Sequence, residues 1–178
     1  MFVTARLGLA PWDVFHQGVA VHTGLKLGWV IEITGVLLLL LWIPLRQRPG
    51  VGTVLNAVEV GLVVNLIGNH LPSTDRLVPR LAYVVGAVVV IAIGSGLYIG
   101  AGLGTGPRDG IMVAVAARGY SVRVVRTVLE ALVLAIGVVL GGHVGIGTVA
   151  FTLGIGPLLH VLLPRLEMRP ESSLAPAA

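Results

Sequence analysis

Two short stretches hold the residues whose types and spacing could do chemistry: Leu7-Gly8-Leu9-Ala10-Pro11-Trp12-Asp13 and Leu103-Gly104-Thr105-Gly106-Pro107-Arg108-Asp109. Each sets a proline where a helix would begin and a carboxylate two residues later. Proline is preorganised at a first helical position, where its missing N–H costs nothing. The free N–H groups and the helix dipole leave partial positive charge at that end. Two chemistries follow. Asp13 and Asp109 could simply cap the N–H groups of their own helices. Alternatively, two broken helices meet within a bilayer and form a polar site for a small solute or ion. Gly8, Pro11, Gly104, Gly106 and Pro107 are the helix-breaking residues on either reading.

Further ionisable groups stand inside apolar sequence. Glu32, Glu59 and Glu130 each cost several kcal/mol in order of magnitude if they lie in hydrocarbon. Glu59 has Asn56 one turn before it and no basic residue within four positions. With Asp13, Asp109, Glu32 and Asn56 it forms the candidate set for binding a substrate or ion. The transport reading expects these carboxylates to converge on one polar cavity. Arg126 and Glu130 share a helix face at a spacing of four, with Arg123 one turn back. That set is expected to be a buried structural ion pair. His16 and His22 are six apart and lack an acid spaced to complete a metal site. The Gly-x-Gly runs lack the strand and spacing of a nucleotide loop. No catalytic set, metal site or cofactor is expected, and the chain does not read as an enzyme.

Composition says what must surround these residues. The chain has 178 residues, 56% hydrophobic and 11% charged, and its mean hydropathy is +0.97. A soluble domain carries roughly 25% charged residues. So few charges cannot solvate a globule, so lipid must cover most of the surface. The 25 glycines suit close helix packing in a bilayer. Cysteine is absent, which excludes disulfides and thiolate metal sites. The net charge of +4 arises from residues between apolar runs. It therefore points to membrane topology rather than to nucleic acid. Trp12, Trp29 and Trp42 fall near expected helix ends, as an interfacial aromatic belt would place them. No cleavable signal pattern opens the chain.

Five long apolar helices are expected, over about 28–45, 51–71, 81–101, 122–140 and 145–163. Two shorter ones start at Pro11 and Pro107 and end near Thr23 and Arg118. At roughly 18–20 Å each, they are too short to span comfortably and read as re-entrant, half-membrane helices. The chain also matches itself. At a spacing of 96, Leu7, Gly8, Pro11 and Asp13 meet Leu103, Gly104, Pro107 and Asp109. At a spacing of 95, Gly24, Gly50, Gly52, Thr53, Val54 and Gly61 meet Gly119, Gly145, Gly147, Thr148, Val149 and Gly156. Residues 1–71 therefore read as one repeat unit, 72–80 as a connecting loop, 81–166 as a second unit and 167–178 as a disordered tail. The second unit has a long helix before its break. The first has no counterpart, so the chain is expected to start inside its own first unit, and Met1 need not be the true start. Three full spans per unit would make the units inverted, four would make them parallel, and the Lys/Arg distribution does not decide. On the re-entrant reading, Arg46, Arg48, Arg108, Arg165 and Arg169 are cytoplasmic, with Arg76 and Arg80 outside.

Several stretches resemble one family. They are Leu7 to Val14, Gly50-Val51-Gly52-Thr53, the run Gly102 to Gly110, the Arg123/Arg126/Glu130 set and Gly145-Ile146-Gly147-Thr148. Together they are similar to the YczE/YyaS/YitT-type bacterial integral membrane proteins. The resemblance covers roughly residues 5 to 165 and implies a multi-pass protein of the bacterial inner membrane. It implies no settled activity. The fold expected is all-α: a polytopic helix bundle of two repeats, each with a half-membrane helix, the first lacking its leading helix. The function expected is secondary transport of a small polar or ionic solute. The alternative is a non-transporting membrane scaffold or regulatory partner, and a homodimer would cover the groove left by a missing helix.

Overall fold

The computed structural model describes residues 1–68 and 70–166, without the side chain of 163. The tail expected over 167–178 lies outside the described residues. Eight helices follow one another: α1 (Phe2–Ala5), α2 (Pro11–Thr23), α3 (Leu27–Trp42), α4 (Val51–Ile67), α5 (Leu77–Gly100), α6 (Pro107–Ala116), α7 (Val122–Val139) and α8 (Ile146–Leu166). No strand occurs among the described residues.

Helix lengths differ from the expectation of five full spans. Among the described residues, only α5 is long and apolar enough to cross a membrane alone, with 24 residues and a mean hydropathy of 2.2. Helices α2 and α3 pass the same test only as a pair, and they are bent by 113°. The bend falls at Gly24, whose φ of 71° ends α2 in the left-handed region. Helix α3 stops at Trp42 rather than near 45. Pro44 has no N–H with which to continue the helix ladder, and Arg46 then turns left-handed. Helix α4, with 17 residues, is apolar but shorter than a bilayer core.

Close packing runs along glycine and alanine. On α5, Val84, Val88, Ala92, Gly96 and Gly100 recur every four residues and are all buried. This stripe lies against α8, where Phe151 and Ile155 complete the core with Phe2, Ala5, Leu9, Ala10 and Val14. Helices α3 and α4 cross where Gly28 meets Gly61, and the Gly28 N–H donates to Asn65 Oδ1 at 3.1 Å. Helices α2 and α7 meet where Gly137 abuts the backbone of Val14 and Phe15. Without a hydrophobic force between helices in lipid, such backbone approach is what holds them together.

The outer surface is strongly apolar. Val58, Val63, Leu66 and Ile67 on α4 and Val78, Val85 and Val90 on α5 are all exposed. Gly61 and Gly94 should thus answer differently to a methyl group. A Cβ on Gly61 would meet Glu32 and the Gly28 carbonyl, whereas one on Gly94 would meet nothing within 4 Å. Gly61→Ala is expected to cost about 1–3 kcal/mol. Gly94→Ala should leave the thermal midpoint of the purified protein in detergent unchanged.

Candidate functional site

Each proline-led helix begins at a junction with another helix start. At the first junction, the Gly147 N–H donates to the Leu7 carbonyl at 2.7 Å, and the Leu9 N–H donates to the His143 carbonyl at 3.3 Å. At the second, the Gly52 N–H donates to the Leu103 carbonyl at 3.0 Å. Thr148 Oγ1 accepts from the Gly145 N–H at 3.2 Å, and Thr53 Oγ1 accepts from the Gly50 N–H at the same distance. Thr53 also donates to the Thr105 carbonyl at 2.7 Å. Positions that match in sequence thus make matching bonds, and they do so reciprocally. The first break docks on the start of α8, and the second docks on the start of α4.

Glycine makes this approach possible. Gly8 and Gly104 have φ of 105° and 117°, which L side chains rarely adopt. A Cβ on Gly8 would run into the Gly145 backbone, and one on Gly104 would lie 2.6 Å from Thr53 Oγ1.

The two junctions do not meet in one place. Arg80, in the first turn of α5, donates to the carbonyls of Ala5 and Arg6 at 2.7 and 2.8 Å, which puts the first junction beside the N-terminal half of α5. The second lies just beyond its C-terminal end. A 24-residue helix is about 36 Å long. The expected single cavity lined by Asp13, Asp109, Glu32 and Glu59 is therefore not formed. Glu32 faces Gly61 at the α3–α4 crossing, where its Oε1 is buried without a partner. Glu59 is exposed on α4. The hollow of about 330 Å³ beside the first break is lined instead by Arg6, Gln17 and His143.

The N-cap positions of α2 and α6 are Ala10 and Gly106, and no side-chain cap hydrogen bond forms at either start among the described residues. The capping role expected of Asp13 and Asp109 is absent, and the two carboxylates go separate ways. Asp13 Oδ1 lies 3.6 Å from His16 Nδ1. Asp109 lies near Tyr98 and Asn56. A Cβ placed on Gly106 would be 3.2 Å from Asp109 Oδ2, 3.5 Å from Tyr98 Oη and 3.8 Å from Asn56 Oδ1. Sequence reasoning named Asp109 and Asn56 but missed Tyr98, an ordinary aromatic near the end of an apolar helix. Its hydroxyl oxygen is buried without a hydrogen-bond partner.

Two other expectations need correction. Arg126 Nε bonds Glu130 Oε1 at 3.0 Å, but the Arg126 side chain is 47% exposed, so the pair is not buried. Arg123 does not join it: only its backbone carbonyl is engaged, by Thr127. The tryptophans do not form a belt either. Trp42 is buried in the space left by Gly110, and its indole N–H donates to the Pro107 carbonyl at 2.9 Å. Trp12 is buried too, and only Trp29 is exposed.

An apolar outer face, helices packed through glycine and backbone junctions sealed by internal bonds define an integral membrane protein. The chain belongs to a family of unknown function, DUF6198, whose model matches residues 1–164. An uncharacterized protein of Haemophilus influenzae is 36% identical over 172 residues, covering 96% of this chain and 79% of that protein. The uncharacterized membrane protein YczE of Bacillus subtilis is 33% identical over 161 residues, 89% of this chain and 75% of its own. The uncharacterized protein YyaS of the same organism is 27% identical over 173 residues, 93% of this chain and 85% of its own. The resemblance to YczE/YyaS-type proteins therefore holds. No solved structure matches.

Thr53 is completely buried and bonds on both sides of the second junction. Thr53→Val should lower stability by about 2 kcal/mol by leaving the Thr105 carbonyl and the Gly50 N–H unpaired. Thr53→Ser should recover most of that loss. Thermal unfolding in detergent followed by circular dichroism measures both.

Proposed function

We propose that this is a multi-pass protein of the bacterial inner membrane, built of two matched units, that carries a small polar or ionic solute by secondary transport. The observation that carries the reading is the reciprocal pair of junctions. Each unit's break is held by the helix start of the other unit, at opposite ends of α5. A rocking of one unit against the other would strain both junctions together, as alternating access between repeats requires. The short helices α2 and α6 are, on this reading, half-membrane elements. Asp109, uncapped and facing Asn56 and Tyr98, supplies a charged group at one junction. Asp13 with His16 supplies one at the other. Glu32 lies at the α3–α4 crossing, and Glu59 is exposed on α4 one turn after Asn56. On this reading no nucleophile or cofactor takes part, and the protein works without enzymatic chemistry.

One observation favours a second reading, in which the chain is a scaffold or a homodimer. The α8 face that packs on α5 includes Phe151, Ile155 and Leu162. The matching positions on α4, Asn56, Val60 and Ile67, have no such cover, and Val60 and Ile67 are 42% and 52% exposed.

Solute flux into proteoliposomes distinguishes the two. Transport is expected for the wild type with at least one solute of a broad panel, and Asp109→Asn should reduce it by about tenfold or more, the loss of one charge-assisted contact. Wild-type vesicles silent across the panel would remove the transport reading and favour the scaffold.

A further inference from the structure

The two junctions share their backbone bonds but differ in what surrounds them, so one serves as an internal control for the other. At the spacing of 96, Tyr98 matches Phe2, Gly106 matches Ala10 and Met112 matches His16; at the spacing of 95, Asn56 matches Phe151. At the first junction the positions matching Tyr98, Gly106 and Asn56 are apolar. The Phe2 and Phe151 rings meet edge to face, with centroids 6.0 Å apart, and Ala10 is buried beside them in the same core. At the second, one ring carries a hydroxyl, the other ring is replaced by a carboxamide, and the methyl is gone. Tyr98 Oη, Asn56 Oδ1 and Asp109 Oδ2 all lie within 4 Å of the place where a Cβ on Gly106 would stand. The acids diverge in the same way. Asp13 has His16 beside it, whereas the matching Asp109 has Met112 at the place of the histidine.

We infer that the Asp109–Tyr98–Asn56 cluster is a binding site for a small monovalent metal cation of the size of Na⁺, resting on the transport reading as its coupling site. No two of the three side chains hydrogen-bond each other among the described residues, although Tyr98 is a donor and the other two are acceptors. A dry structural cluster would close that contact, because a buried unpaired hydroxyl is costly. The donors are all oxygen, the set a hard cation takes. One carboxylate with the cation Arg108 next to it in sequence leaves too little negative charge to dehydrate a divalent ion. The start of α6 is electropositive, and the Asp109 carboxylate in its first turn offsets that charge.

Equilibrium binding of radiolabelled Na⁺ to the purified full chain in detergent, with choline replacing Na⁺ in the background, tests this without reference to transport. Saturable binding is expected for the wild type. It should be lost in Asp109→Asn and in the first-junction mimic Asn56→Phe/Gly106→Ala, and weakened by about tenfold in Tyr98→Phe, the loss of one ligand contact. Gly94→Ala should bind as the wild type does. Tyr98→Phe removes a single oxygen from an intact ring. Its thermal midpoint in choline chloride should match the wild type's, while its midpoint in sodium chloride should rise less. Absence of saturable binding in the wild type, or binding unaltered by Asp109→Asn and Tyr98→Phe, overturns the site. Na⁺-independent solute flux with no Na⁺ binding would sink the ion site and leave transport standing. Na⁺ binding without flux of any solute would do the reverse.

Discussion

Everything in this fold hangs on a backbone contact made twice. A carbonyl in a glycine-rich break, Leu7 or Leu103, accepts the N–H of the second glycine in a Gly-x-Gly-Thr helix start. Hydrocarbon offers no alternative partner for either group, so a helix can be interrupted only where another element supplies the bond. That constraint explains several residues at once. The two breaks need glycine for its left-handed φ, the facing helix starts need glycine for close approach, and the threonine hydroxyls bond the free N–H groups at each start. A side chain at any of these positions would push the two backbones apart.

The remaining packing adapts to the two junctions without being identical around them. At the second, the large Trp42 fills the space over Gly110 and bonds the Pro107 carbonyl. The matching positions of the first reverse the sizes, with Gly137 on α7 set against Val14 on α2. The larger side chain thus moves from one helix to the other. Polarity is not conserved: phenylalanines and an alanine on one side become tyrosine, asparagine and glycine on the other. The two junctions thus share a backbone contact and differ in the side chains set around it. Asp109 belongs to the more polar set at the second.

The five acids singled out in the sequence have different settings. Glu130 pairs with Arg126 at the surface, Asp13 turns to His16, Glu32 is wedged over Gly61, Glu59 is exposed on α4 and Asp109 faces neutral oxygens. Grouping Asp13, Asp109, Glu32 and Glu59 into one cavity was reasonable from hydropathy alone. The two aspartates stand apart because α5 is about 36 Å long and the junctions sit by its two ends.

Much of this was written in local sequence. Low charge and high hydropathy demanded lipid, proline marked the starts of α2 and α6, and glycine marked the breaks and the turn after α2, because each of these depends on a few neighbouring residues. The matched Gly-Pro-x-Asp and Gly-x-Gly-Thr pairs could also be seen by sliding the chain along itself. What could not be seen was which pair docks on which. The first break meets the start of α8, more than a hundred residues away, and the second meets the start of α4, earlier in the chain. That choice is made by the packing of α5 on α8 and of α3 on α4, which no local pattern encodes. Tyr98 shows the same limit. Its type suggested only an aromatic near a helix end, and only the tertiary approach of Asn56 and Asp109 around Gly106 turned its hydroxyl into part of a site.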